Sequence, residues 1–345
     1  MKATAATAPV RAALWRRTAP VAALVAIVVA ALFTGKFAAT PGEVLQVLAT
    51  KPFGFASGLP SATETAIWQV RLPRVLAGLG VGAALAAAGA TYQGLFRNPL
   101  VSPDILGVSA GASLGAALGI FLSLNVLVIQ TLAFLGGLGA VAAVYAVGAA
   151  IRTRDPVLVL VLAGVAVGAL LGSALSLIKI LADPYNQLPA ITYWLLGSLA
   201  SVTRGDLGSV LPAILVGLAP LVLLRWRMNL LTLGDEEARA LGVETRLLRP
   251  VLIAAATLMT AAAVSITGVI GWVGLIVPHV ARLLVGPDFS KLLPASLILG
   301  GGFLVGVDLV ARTVATIEVP LGVLTAAIGA PFFLWLLATA RRGWA

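Results

Sequence analysis

The chain has no cysteine and a single histidine, His279, among its 345 residues. No disulfide, thiol nucleophile or cysteine-bound metal can form, and one histidine argues against a metal or haem site within the chain. Charge is scarce too. Asp, Glu, Lys and Arg together make up 10%, where soluble domains hold about 25%. The chain also lacks GxxxxGK[ST], the glycine loop and lysine that cradle nucleotide phosphates, and it lacks HExxH, CxxC and GxSxG. His279 stands in "VPHVAR" with no advertised acid or nucleophile beside it, and it reads as a histidine hydrogen-bonded at a helix end. The expectation is a non-enzyme, with no catalytic, metal-binding or cofactor-binding residues.

What is present is apolar. Ala, Val, Ile, Leu, Met, Phe, Trp and Tyr supply 60% of the chain, more than a soluble fold of this length can hide. Ten stretches are candidates for membrane-spanning helices, near 19–34, 70–93, 104–121, 127–150, 157–179, 207–224, 250–267, 270–285, 292–312 and 320–339. The division of 250–285 is the least defined. Small-x-x-x-small glycines, such as Gly78 with Gly82 and Gly164 with Gly168 and Gly172, allow helices to approach closely in lipid. The expected fold is an all-α polytopic bundle. Residues 1–18 form a basic tail, and 19–345 form one transmembrane domain.

Lys2, Arg11, Arg16 and Arg17 precede the apolar run 21–33. That pattern admits a signal peptide or a first spanning helix. The absence of a small-x-small cleavage site before "TGKFAATPGE" favours the helix. With the N-terminus inside, most of the 23 lysines and arginines fall on inner segments, among them Arg97, Arg152, Arg154, Arg225, Arg227, Arg239, Arg246 and Arg249. Lys36, Lys51, Arg71, Arg74, Lys179, Arg204 and Arg312 fall outside. This asymmetry supports cytoplasmic N- and C-termini. The net charge of +10 then reflects loops beside anionic lipid, and no nucleic-acid partner is expected.

Three segments are neither spans nor simple turns. "DPYNQLPAITYWLLGSLA" (183–200) holds an apolar piece too short to cross, with Tyr185, Tyr193 and Trp194 suited to an outer interface. "LTLGDEEARALGVETRLLRP" (231–250) holds a polar helix of about two turns, near 235–241, with acids at its start and Gly242 past its end. "RNPLVSPDILGVSAGA" (97–112) breaks two apolar runs. In it Asn98-Pro99 ends one helix, and Ser102-Pro103-Asp104 reads as a capped start of the next, with Ser102 as N-cap. Irregular backbone at membrane depth is tolerated only where protein or a watery cavity satisfies it.

"RLPRVLAGLGVGAALAAAGATYQGLFRNPLVSPDILGVSAGASLG" (71–115) closely resembles the FecCD family, the permease subunits of ABC importers for iron–siderophore complexes, haem and cobalamin. The resemblance continues through "LVLAGVAVG" (160–168), "LTLGDEEARALGV" (231–243), "GVIGWVGLIVPHVARLLVGPD" (268–288), "LPASLILGGGFLVGVDLVART" (293–313) and "EVPLGVLTAAIGAPFFLWLL" (318–337). It implies the type II ABC importer permease fold, with ten spans per subunit, in the cytoplasmic (inner) membrane of a bacterium or archaeon. It also implies a homodimer around a central pathway, two copies of a separate ATPase on the inside, and one substrate-binding protein on the outside. Arg71, Arg74 and Arg312 are implied to dock the binding protein. Gly234, Asp235, Glu236, Glu237, Arg239, Leu241 and Gly242 are implied to form the coupling helix that meets the ATPase. Asn98, Pro99 and Leu100 are implied to close the inner end of the pathway, with Asp155, Pro156 and Val157 as a second gate.

An iron complex, siderophore or haem, is the expected cargo, with cobalamin next and a smaller oxyanion after it. The competing class is an ion-coupled secondary transporter, which usually places ionisable residues near mid-membrane. Here Asp308 is the one plausible acid of that kind, near the outer end of the ninth stretch.

Overall fold

The computed structural model describes residues 7–151, 156–233 and 235–340. Among them all regular structure is helical. The first helix, α1 (Thr7–Phe33), reaches back into the stretch expected to be a tail. A capping box between Thr40 and Glu43 starts α2 (Pro41–Thr50). From α3 (Ser61–Thr65) a π turn over Ala66–Arg71 leads without a break into α4 (Leu72–Leu95). Then come α5 (Val108–Phe121), α6 (Val126–Ala150), α7 (Pro156–Leu181), α8 (Gln187–Leu196), α9 (Arg204–Leu223), α10 (Arg225–Leu231), α11 (Asp235–Ala240), α12 (Thr245–Thr267), α13 (Val273–Val285), α14 (Phe289–Thr313) and α15 (Leu321–Ala340).

Each expected apolar stretch carries a helix. Among the described residues, six helical segments are long and apolar enough to cross a membrane, and shorter apolar segments in α1, α5, α13 and α15 cover the remaining four stretches. The second segment is longer than expected, a continuous 35-residue helix over Ser61–Leu95. The uncertain stretch divides at Gly268–Trp272, where Gly268 and Trp272 both take positive φ. The backbone that leaves the helices there is satisfied by protein, as membrane depth requires. Ser198 N donates to Thr267 O at 2.7 Å, and Leu321 N donates to Gly197 O at 3.0 Å. These bonds tie α8, the end of α12 and the start of α15 together.

The centre of the bundle is α4, whose apolar window is 78% buried, whereas that of α7 is only 11% buried. Small residues explain the difference. A Cβ on Gly82 would strike the carbonyl of Gly300 on α14, and one on Gly89 would strike that of Gly274 on α13. Backbones therefore touch backbones, and dispersion contacts replace the hydrophobic drive that lipid does not supply. The glycine stripe of α7 behaves differently from expectation. Gly164 meets the Ile105 carbonyl, but Gly168 and Gly172 face open space.

Two ends of the bundle can be told apart. Leu24, Ile27 and Ala31 of α1 lie beside Gly302, Gly306 and Arg312 of α14, so the two helices run parallel. Asn229 of α10 bonds Asp288 and Phe289 at the start of α14. The start of α1 is thus at the end that carries α10 and α11. The opposite end carries α2, α8 and the finish of α14.

Candidate functional site

At the α2/α8 end, Arg71, Arg74 and Arg312 are brought together. They are not the open basic patch that the sequence suggests, since they are 4%, 6% and 5% exposed. A guanidinium inside an apolar bundle needs its donors satisfied, and this fold satisfies most of them internally, although Arg312 Nε has no hydrogen-bond partner among the described residues. Arg74 Nε donates to Asp308 at 2.9 and 3.0 Å, and its Nη1 and Nη2 donate to the two oxygens of Glu318 at 3.0 and 2.8 Å. Arg71 donates to the carbonyls of Leu32 and Phe37. Arg312 donates to the carbonyl of Ala31 and lies 3.7 Å from Asp308.

The cluster borders a cavity of about 250 Å³ lined by Gly35, Lys36, Phe37, Arg71, Arg74, Arg312 and Glu318 among others. Lys36 Nζ donates to Thr316 O at 2.7 Å. Four cations thus face two carboxylates, Asp308 and Glu318. Partial burial pushes the Glu318 carboxyl up, but the Arg74 hydrogen bonds and the charges of Arg74, Lys36 and Arg312 outweigh it and hold the group below its ordinary range. Asp308, the acid that a secondary transporter would need free, is 2% exposed and committed to Arg74.

At the opposite end, α11 spans Asp235–Ala240 and stops one residue earlier than expected. Gly234 lies outside the described residues, as does the side chain of Asp235. Ala238 is fully buried and anchors the helix. Glu236, Glu237 and Arg239 are exposed, and Leu241 is 58% exposed. Gly242, at φ 82°, turns the chain back, and Val243 N donates to Ala238 O at 2.9 Å. That is a glycine-terminated helix C-terminus. The adjoining α10, with exposed Arg225 and Arg227, is absent from the sequence expectations, because a charged run beside a span reads as loop.

Asn98, Pro99 and Leu100 form a tight turn after α4. Asn98 Oδ1 accepts from Leu100 N at 2.9 Å, Arg97 has φ 49°, and Leu100 is 46% exposed. Ser102 does not cap the next helix. Its side chain makes no cap bond, and a 3₁₀ turn (Pro103–Leu106) intervenes before Gly107, at φ 79°, starts α5. Asp104 instead accepts from Ser109 Oγ. Of the second expected gate, Asp155 and the side chain of Pro156 lie outside the described residues, and Val157 is half-buried at the start of α7. His279 also departs from expectation. Neither ring nitrogen has a hydrogen-bond partner among the described residues, and the ring packs edge-on to Phe332 at 6.3 Å.

A cavity of about 760 Å³ contains none of the expected site residues. It opens between α6, α8, α9 and α12 and includes Gln130, Trp194, Asp206 and Thr267. Gln130 donates to Asp206 at 2.8 Å. No motif could have announced it, because its walls come from five separate helices, with Ile120 of α5 among them, and from the turn before α9.

The FecCD transport family profile matches residues 23–339. The cobalamin import system permease BtuC of Halobacterium salinarum is 44% identical over 298 residues, covering 86% of this chain and 79% of its own length. The molybdate import system permease MolB of Haemophilus influenzae is 38% identical over 320 residues, covering 93% and 94%. A solved structure, described as an inward-facing conformation of a metal-chelate type ABC transporter, matches with a TM-score of 0.83 at 36% identity and covers 93% of this chain and 98% of that one. The apolar helical bundle and these alignments agree: the chain is a multi-pass membrane protein of the FecCD transport family, an ABC importer permease.

Proposed function

We propose that two copies of the chain form the pathway of an importer in the cytoplasmic membrane, driven by a separate ATPase and loaded by a substrate-binding protein. The observation that carries this is α11, a six-residue helix with exposed Glu236, Glu237 and Arg239 and a fully buried Ala238. At about 9 Å it is far too short to cross a bilayer, yet it is anchored between membrane helices. Such an element suits the transmission of force from a soluble partner. The α10/α11 end is then cytoplasmic, in agreement with the lysine and arginine bias.

At the far end, the 250 Å³ cavity bordered by Lys36, Arg71, Arg74 and Arg312 supports docking of an acidic binding-protein side chain. An incoming carboxylate finds an excess of cations with only Glu318 already among the lining residues. The sparsely buried α7, with Gly168 and Gly172 open, supports a second copy on that face. The exposed Leu100 supports a seal made between copies at the cytoplasmic end.

An iron chelate is the first cargo to test. Cobalamin and molybdate, the substrates named for the two relatives, stand beside it. The test is uptake into vesicles that hold the purified permease with its ATPase, supplied with the loaded binding protein and each cargo in turn. ATP-dependent uptake of one cargo supports the proposal. Uptake driven by a proton or sodium gradient without the ATPase overturns it.

A further inference from the structure

Asp104 has no part in the functions above. In sequence it belongs to a helix start, yet the fold sets it well inside the bundle. Its 3₁₀ turn, Pro103–Leu106, is wedged between α13 and α7. A Cβ on Gly274 would meet the Pro103 ring at 3.0 Å, and one on Gly164 would strike the Ile105 carbonyl. Gly274 packs in turn on Gly89, about 9 Å before α4 ends at Leu95, and Gly164 lies about 12 Å into α7. The carboxylate therefore stands roughly 10 Å in from the α10/α11 end of these helices, which is membrane depth for a hydrocarbon core of about 30 Å.

At that depth the side chain is exposed. It accepts from Ser109 Oγ and forms no ion pair among the described residues. An acid is costly against acyl chains, and acids at such depth face the bundle interior or a water-filled space. The turn adjoins the sparsely buried α7, since a Cβ on Gly107 would come within 4.0 Å of the Gly164 carbonyl and of Gly168 Cα. Gly168 belongs to the face assigned above to a second copy. Leu100, the residue of the inner seal, is exposed on the same connection. From there α5 runs toward the α8 end, where Gln187 donates to Phe121 O, so Asp104 lies on the outer side of the seal. Charge is otherwise scarce along this face. Among the described residues, α5, α7 and α15 carry one charged side chain, Lys179 in the last turn of α7.

We infer, on the pathway reading above, that Asp104 selects cargo by charge. A two-fold pair of copies sets two such carboxylates across the pathway, just outside the seal. Between low-dielectric walls they repel an anion more strongly than they would in open water. The cargo that passes is a metal chelate of zero or positive net charge. A free oxyanion such as molybdate is excluded.

The test exploits the absence of cysteine from the chain. Ser109→Cys, at a half-buried position beside the carboxylate, puts a unique thiol at the site. The full chain is held in lipid nanodiscs, open to water on both sides. Two methanethiosulfonates of similar size modify the thiol, one carrying trimethylammonium and the other sulfonate. The ratio of cationic to anionic rate, divided by the same ratio for free 2-mercaptoethanol, reads the local charge. The expected value is about tenfold in favour of the cation. It should fall to near parity when Asp104→Asn is added and survive when Asp104→Glu is added instead. Failure of both reagents to react would show a dry face and overturn the inference. Parity with Asp104 in place overturns it as well, whether or not the Asp104→Asn variant folds, and so does a preference that Asp104→Asn leaves intact. These rates need neither ATPase nor binding protein, so charge selection can fail while the importer reading stands. In the vesicle assay above, ATP-dependent uptake of molybdate by the parental chain would also overturn it.

Discussion

Arg74 grips Glu318 through two parallel hydrogen bonds, of 3.0 and 2.8 Å, across 244 positions of sequence. The same guanidinium holds Asp308. Removing one member of a buried pair strands the other, at a cost of about 3–5 kcal/mol. Asp308→Asn should therefore cost that much, read as a large fall in thermal midpoint in detergent. Glu318→Gln should cost less, because its carboxylate is 33% exposed and water takes over part of the work. Equal midpoints for Asp308→Asn and the parent would show that the pair is not structural.

The pH dependence follows from the sign of the Glu318 shift. Its folded carboxyl titrates below the ordinary value of 4.5. Its contribution to stability is thus fully present above about pH 4.5, where the unfolded group is already ionised, and it is lost as pH falls through the lower folded value. Melting curves from pH 6 down to 3 should show an acid-side loss that is smaller in Glu318→Gln. Identical acid profiles would remove Glu318 from the account.

Charge reversal at the arginine cavity should separate folding from docking. Arg71→Glu with Arg74→Glu places carboxylates among buried backbone carbonyls and acids, so that variant should fail to accumulate as folded protein. Lys36 lines the same cavity but is exposed. Lys36→Glu should keep the parental midpoint and weaken binding of the loaded binding protein severalfold at low salt. The loss should shrink as salt screens the pair. Unchanged low-salt affinity in Lys36→Glu would move the docking surface elsewhere.

Glu236→Lys with Glu237→Lys alters two exposed positions on α11 and should leave the permease folded. The ATPase should then dissociate from complexes purified in detergent. A pull-down that still returns stoichiometric ATPase would show that this helix is not the contact.

The turn after α4 divides into positions with different burdens. Ser102→Ala should change stability by less than about 0.5 kcal/mol, since its hydroxyl caps nothing. Gly107 takes φ 79° with no neighbour nearer than 3.9 Å to a Cβ. Gly107→Ala should therefore cost more than Ser102→Ala, on the order of 1 kcal/mol, through backbone strain alone. Leu100→Gly should leave the midpoint intact and let preloaded vesicles leak cargo without ATP. A tight Leu100→Gly vesicle would reduce this stretch to a turn.

Much of the bundle was legible along the chain. Apolar length located every span, because each helix must individually satisfy lipid. The α11 helix was legible because four charged residues between two greasy runs have few other uses. Ser102 misled for a local reason. Ser-Pro-Asp is a helix start in either reading, but the helix it starts is a 3₁₀ turn that ends at Gly107, at φ 79°, before α5 begins. The arginines misled for a distant reason. Arg71 and Arg74 signal a polar end of a helix, and nothing near them in sequence reveals that Asp308 and Glu318 return to meet them.

What the amino-acid sequence determined by itself is the solvent, the number of spans, the family, and which residue types stand at each end. These are local quantities, summed over 20 residues or fewer, and lipid reads them one segment at a time. What only the tertiary structure decided is which faces touch. Gly82 packs on Gly300 while Gly168 stays open, Arg74 turns inward to two acids, and Asp104 comes to membrane depth beside α7. Those outcomes depend on how helices hundreds of positions apart settle against each other. In lipid that choice rests on close packing and on satisfying every buried polar group, and both are properties of the assembled bundle.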